Sequence, residues 1–249
     1  MVSPGRVCFT VFGIDIMWYG VLIGLAFVVA TIISYKRAPR LGIKPDSFID
    51  VIIALIPAAI IGARAYYVIF NWSMYAGDLK QIFNTRNGGL AIHGGILLGI
   101  LAVYLVCKKD KENFRDMLDL CGPVLALGQA IGRWGNFFNE EAHGVETDLP
   151  WAQIIDGVGY HPTFLYESIW CFLLFLILLY VDNHRKFEGQ VLLLYGILYS
   201  MERFFVESLR TDSLMIGSFK QAQVISLVII AVCMISYVVL SRRSQRQKQ

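Results

Sequence analysis

Apolar residues dominate this chain in long runs separated by short polar connectors. A helix that crosses the hydrocarbon of a bilayer needs roughly 20 predominantly apolar residues. Seven stretches qualify, at 14–35, 48–70, 89–107, 117–138, 162–181, 189–206 and 221–240. The third and seventh carry no formal charge, and the others are interrupted by a few polar groups. The pattern predicts an all-α integral membrane protein with seven transmembrane helices. Small segments at 71–88, 139–161 and 207–220 are predicted to lie at one face. No internal repeat and no low-complexity linker divides the chain, so residues 1–249 read as one polytopic membrane domain.

Composition agrees. Of 249 residues, 56% are hydrophobic and 16% charged, with a mean hydropathy of +0.57. A soluble domain carries about 25% charged residues. The net charge of +3 reflects where the cations fall. Fourteen of the 22 Lys and Arg residues lie in one set of connectors: 36–44, 108–115, 185–186 and the tail after 241. Five lie on the opposite side (Arg6, Lys80, Arg86, Arg210 and Lys220), and Arg64, Arg133 and Arg203 lie inside spans. Cytoplasmic loops carry the excess of Lys and Arg. The N-terminus is therefore expected outside and the C-terminus, with Lys248 near its end, in the cytoplasm. The basic balance belongs to the membrane topology, and no nucleic-acid partner is expected. The first residues lack a basic segment followed by a cleavage site, so the first apolar run reads as a retained span. Cys8, Cys107, Cys121, Cys171 and Cys233 are scattered without a zinc or redox spacing.

Successive spans alternate in direction, so groups early in odd spans and late in even spans share a depth. Tyr19, Arg64, His93, Arg133, Asn136, Glu167 and Arg203 all fall at the outer ends of their spans. Ionisable residues within a span are functional candidates by default, and two arginines at mid-membrane cost roughly 5–7 kcal/mol unless paired. Two readings stand for Arg133 and Arg203: a bound anion offsets their charge, or Glu141, Glu167, Glu202 and Glu207 supply plain ion pairs. Arg64 either snorkels to the headgroups or joins the site. Asp50 and Asp119, at inner ends, read as charges favourable to a helix N-terminus. Tyr66, Tyr67, Trp72, Trp151 and Tyr180 read as interfacial aromatics, and His143 and His161 as surface groups. Tyr199, Arg203, Glu207 and Arg210 form one stripe of a helix. Planar guanidinium groups suit phosphate oxygens. His93 lies in Gly88-Gly89-Leu90-Ala91-Ile92-His93-Gly94-Gly95, where small neighbours permit close helix approach. It either handles a proton or packs.

The segment Gly132-Arg133-Trp134-Gly135-Asn136-Phe137-Phe138-Asn139-Glu140-Glu141-Ala142-His143-Gly144 resembles the signature of bacterial prolipoprotein diacylglyceryl transferases. The pattern Gly-Arg-x-Gly-Asn-Phe-x-Asn-x-Glu-x-x-Gly is met at eight fixed positions in thirteen. Trp18-Tyr19-Gly20, Gly62-Ala63-Arg64, His93-Gly94-Gly95, the run His161–Glu167 and Arg203-Phe204-Phe205-Val206-Glu207 resemble further family elements in the same order. The chain departs from the family at several places. Glu140 stands where glycine is common, Lys220-Gln221-Ala222-Gln223 where Gly-Gln-x-Leu-Ser is common, and Thr211, before Asp212, where proline is usual.

The resemblance implies transfer of a diacylglyceryl group from phosphatidylglycerol to the lipobox cysteine of a prolipoprotein signal peptide. A thioether forms and glycerol 1-phosphate leaves. It implies an enzyme of the bacterial cytoplasmic (inner) membrane with its active site toward the periplasmic face, in contact with membrane lipids. Expected catalytic residues are His93, Arg133 and Arg203, the arginines taking up charge on the leaving phosphate. His93 acts either as base toward the thiol, which attacks as thiolate, or as acid toward the phosphate. Expected substrate contacts are Arg133, Tyr19, Asn136, Asn139, Glu141, Gly144, Arg64, Tyr199, Glu207 and Arg210. No metal and no organic cofactor is expected. Two rivals predict different patterns. An anion transporter places polar groups at several depths, and a seven-helix receptor has no reason to gather arginines at one edge.

Overall fold

The computed structural model describes residues 1–85, 88–211 and 213–246. Arg86, Asp212 and Lys248 lie outside the described residues. Among those described, the protein is mostly helical, with seven α-helices: α1 (Trp18–Arg37), α2 (Pro45–Phe70), α3 (Ile92–Asp110), α4 (Phe114–Asn139), α5 (Thr163–Asn183), α6 (Gln190–Leu209) and α7 (Gln221–Arg246). Three antiparallel hairpins accompany them: β1 (Val7–Val11) with β2 (Ile14–Met17), β3 (Gln153–Ile155) with β4 (Val158–Tyr160), and β5 (Met215–Ile216) with β6 (Phe219–Lys220).

Each predicted span has a helix, but not every boundary. The first span was expected to begin at residue 14, whereas Ile14–Met17 is strand β2. Phe12 and Gly13 both have positive φ, 50° and 78°. That is the backbone of a tight two-residue hairpin turn, and it pairs Val11 with Ile14 and Thr10 with Asp15. Helix α3 likewise begins at Ile92, because Gly88 and Gly89 also have positive φ. Five stretches are long and apolar enough to cross a membrane: Trp18–Leu41, Pro45–Phe70, Ile92–Asp110, Thr163–Asn183 and Gln221–Arg246. Helices α4 and α6 have comparable length. Arg115, Asp116, Asp119, Gln129, Arg133 and Asn136 reduce the apolarity of α4, and Glu202, Arg203 and Glu207 that of α6.

Chain contacts divide into two compact units, Tyr35–Met117 and the remainder. In the first, α2 packs on α3 through small residues. A side chain on Gly62 would collide with the Gly94 carbonyl, one on Gly94 with the Gly62 carbonyl, and one on Gly95 would crowd the Ala59 carbonyl. Lipid tails are as apolar as leucine, so close backbone packing of this kind replaces hydrophobic burial as the cause of association. Glu112 accepts from Lys44 N and Ser47 Oγ and so caps the start of α2. Asp50 pairs on the surface with Lys109.

In the second unit, α4, α5 and α6 enclose a core of Ala126, Leu127, Leu174, Phe175, Leu178 and Val191. Helix α7 lies against α6 with Ser226 as its buried residue, and most of its Ile, Leu and Val side chains are exposed. Asp119 is fully buried, but it serves a different helix from the one its position in the chain suggested. Its carboxylate accepts from Gly189 N at 2.8 Å and Leu192 N at 2.9 Å, at the start of α6, and meets Arg185 Nη1 at 3.3 Å. These bonds satisfy N–H groups that a helix start leaves open. Breaking a buried pair of this kind costs about 3–5 kcal/mol. Asp119→Ala is expected to lower the thermal unfolding midpoint of the purified protein accordingly, measured by circular dichroism in detergent. An unchanged midpoint would show that the cap contributes nothing.

Candidate functional site

The second unit gathers its charged residues where α4 and α6 end and α5 begins. Glu167, on the first turns of α5, is 1% exposed and holds two arginines at once. Its Oε2 lies 3.0 Å from Arg133 Nε, and its Oε1 accepts from Arg203 Nη1 at 2.8 Å. Arg203 Nη2 meets Glu207 Oε2 at 2.6 Å one turn further along α6, and Arg133 Nη2 donates to Tyr199 Oη at 3.4 Å. Both arginine side chains are 19% exposed. Among the described residues, Arg133 Nη1 and Arg203 Nε carry no hydrogen-bond partner. The pair therefore keeps donors for a further acceptor. Glu202, one residue before Arg203, is buried with neither carboxyl oxygen hydrogen-bonded among the described residues.

The packing around the pair explains its small residues. Trp134 Nε1 donates to Ser168 Oγ, which donates to the Ala130 carbonyl at 2.8 Å, pinning α4 to α5. A side chain on Gly135 would strike the ring of Tyr19, so the glycine lets α1 bring Tyr19 against α4. Trp18 stacks on Phe138 with ring centroids 4.7 Å apart. Asn136 Nδ2 and Asn139 Nδ2 both donate to Glu141 Oε1, at 2.9 and 3.3 Å. These three residues thus form one polar knot at the end of α4. Gly144 bridges Arg210 in antiparallel fashion, and a side chain there would collide with His161. His161 N donates to the Val145 carbonyl, and its Nδ1 lies 3.2 Å from Tyr166 Oη. His143 rests on the Tyr160 ring. These two histidines are half-buried parts of the connector and not simple surface groups.

His93 and Arg64 belong to the other unit. His93 is the second residue of α3, exposed, with its ring 6.0 Å from that of Tyr66. Arg64 neither snorkels outward nor keeps a free donor. Nε donates to the Ile82 carbonyl, Nη1 to Gly88 and Gly89, and Nη2 to Gln81 and Asn84. All five N–H groups are used on one connector, and Tyr75 faces the guanidinium at 5.1 Å. Its contribution is to hold Gln81, Ile82, Asn84, Gly88 and Gly89 by their carbonyls. Glu167 is the residue that sequence reasoning left off its site set. Its place early in an apolar span, at the end of the His161–Glu167 run, was the available signal.

A family model for prolipoprotein diacylglyceryl transferase matches residues 6–239. The chain belongs to this family. It is 53% identical over 240 residues to the phosphatidylglycerol–prolipoprotein diacylglyceryl transferase of Clostridioides difficile (strain 630), covering 96% of this chain and 97% of that protein. The protein of the same name from Finegoldia magna is 53% identical over 226 residues, covering 90% of this chain and 91% of its own. That of Clostridium novyi (strain NT) is 47% identical over 234 residues, with 90% and 91% covered.

One departure from the family signature has a backbone reason. Glu140, where glycine is common, follows the last residue of α4 with φ of 56°. Glycine adopts this left-handed conformation without the steric cost that a side chain brings. Glu140→Gly is expected to raise stability by roughly 0.5–1 kcal/mol. Denaturant unfolding of both proteins would measure the gain, and a loss would mean that the Glu140 side chain makes up for its backbone.

Proposed function

We propose that this protein transfers the diacylglyceryl group of phosphatidylglycerol to the lipobox cysteine of prolipoprotein signal peptides, the first step of bacterial lipoprotein maturation. The observation that carries the reading is the arginine pair held by Glu167 inside a chain that matches the transferase family along nearly its whole length. In the reaction the cysteine sulfur bonds to the glyceryl carbon of the donor while that carbon's bond to phosphate oxygen breaks. Glycerol 1-phosphate departs with the negative charge, and the thiol proton must be taken up.

Arg133 and Arg203 are the groups we assign to the phosphate. Their open donors, Arg133 Nη1 and Arg203 Nε, suit an oxygen-rich anion, and stabilising developing charge is often the largest catalytic contribution. Glu167 and Glu207 fix where those guanidiniums point, and Tyr199 fixes Arg133. The knot of Asn136, Asn139 and Glu141, with Tyr19 beside it, offers amide and carboxylate groups to the hydroxyls of a glycerol headgroup. Gly144 and Arg210 contribute through the backbone bridge that closes the connector over the end of α6. Arg64 acts by holding the carbonyls of Gln81, Ile82, Asn84, Gly88 and Gly89, and His93 handles the proton.

In this reading all seven helices cross the bacterial cytoplasmic membrane as one membrane domain, with the N-terminus outside and the C-terminus in the cytoplasm. Fourteen Lys and Arg residues in the inward connectors support that orientation. The arginine pair then lies toward the outer face, at the depth of lipid phosphates and near an emerging signal peptide.

The test uses purified protein in liposomes with phosphatidylglycerol and a lipobox peptide bearing one cysteine. Mass spectrometry should find a diacylglyceryl thioether on that cysteine, with glycerol phosphate released. Arg133→Ala should lower the rate by at least about a hundredfold while the protein still inserts. A folded wild-type protein that yields neither product would refute the transfer. His93→Gln should slow single-turnover chemistry by roughly 10²–10⁴-fold with donor binding retained. A turnover and pH profile equal to wild type would reduce His93 to packing.

A further inference from the structure

The end of α6 presents an electrostatic problem for an anion site. Unpaired carbonyls give a helix C-terminus about half a unit of negative charge. Arg203, Glu207 and Arg210 lie at or just beyond the last two turns of α6. A phosphate approaching Arg203 therefore meets the unfavourable pole of the helix that carries it, the reverse of the helix N-termini that bind phosphate.

Lys220 answers that problem in this chain. Its Nζ donates to the carbonyls of Glu207 at 2.7 Å, Ser208 at 3.3 Å and Arg210 at 2.8 Å, which uses all three ammonium hydrogens. Lys220 is the last residue of β6, directly before α7. The β5–β6 hairpin thereby lays a cation across the carbonyl end of α6. Gln223, on the first turn of α7, adds a bond from Nε2 to the Phe204 carbonyl at 3.2 Å. Val145 N takes the Leu209 carbonyl from the other side.

We propose that Lys220 is a positioning residue for the anionic donor. It neutralises the carbonyl pole of α6 and fixes the final turn, so that Arg203 meets a phosphodiester with its full charge. The inference rests on the transferase reading above. The donor phosphodiester already carries a full negative charge when it binds, so most of what Lys220 contributes through Arg203 is present in the bound donor. Loss of such uniform binding raises KM and leaves kcat in place.

Initial rates against the surface concentration of phosphatidylglycerol in mixed vesicles would be compared for wild type, Lys220→Met, Lys220→Gln and Lys220→Arg. Lys220→Met should raise the donor KM about tenfold, with kcat within about twofold of wild type. Lys220→Gln keeps a hydrogen-bond donor without the charge, and its KM should rise too. Lys220→Arg should restore KM to within about twofold. Thermal unfolding would establish that each variant is folded, and the Gln and Arg variants decide the matter if Lys220→Met does not fold. An active wild type whose KM is the same in Lys220→Gln overturns the inference, as does a fall in kcat at constant KM. A wild type without transfer activity refutes the transferase reading itself.

Discussion

Two guanidinium groups on different helices repel one another at the spacing a shared anion requires, and an apolar surrounding makes that repulsion stronger. Glu167 resolves the conflict by offering one carboxylate oxygen to each arginine. Much else near the site follows from that bridge. Helix α5 must begin close to where α4 and α6 end. Ser168, next to Glu167, secures α4 through Ala130 and Trp134. Removing Glu167 would leave Arg133 without a carboxylate and Arg203 with Glu207 alone, and breaking one buried pair costs about 3–5 kcal/mol.

The same unit is closed at its ends by groups borrowed from elsewhere in the chain. Asp119 of α4 caps the start of α6, and Lys220 of the last hairpin caps its finish. Arg6 Nη2 and Ser3 Oγ donate to the carbonyls of Asn139 and Phe138 at the finish of α4. The finish of α4 and the start of α6 therefore have open groups satisfied by partners far away in sequence. This suits helices that must present charged side chains without loosening.

The seven helices were legible because a 20-residue apolar run has few alternatives in a membrane protein. Tyr199, Arg203 and Glu207 were legible as one stripe of α6, since a helix places i and i+4 on one face, but Arg210 lies past Leu209 in extended backbone and leaves the stripe. The hairpins were not. Phe12-Gly13 lacks the Asn-Gly or Asp-Gly pair that announces such a turn, and the alternation in 7–17 is hidden beside a long apolar run. Arg64 could not be read because its partners are backbone carbonyls, which have no signature in sequence. Nor could Asp119, whose cap on α6 spans about seventy residues of chain. Glu167 was visible as a polar residue in an apolar span, but that it bridges both arginines depends on side-chain geometry.

Among the described residues, the two helices that carry Arg133 and Arg203 are also the two of the seven that are less apolar than the five candidate membrane spans. An arginine costs an inserting helix roughly 2.5–3.5 kcal/mol at its centre and less toward its ends, where Arg133 and Arg203 lie. In a seven-span arrangement, α4 reaches the membrane before its counter-charge has been synthesised, since Glu167 belongs to α5. Were the seven helices to insert in chain order, α4 would remain the marginal segment until α5 arrived, and α6 would then dock onto an acidic residue already in place. The charges on Arg133 and Arg203 would then bear on the order of assembly, with the acidic helix made between the two basic ones.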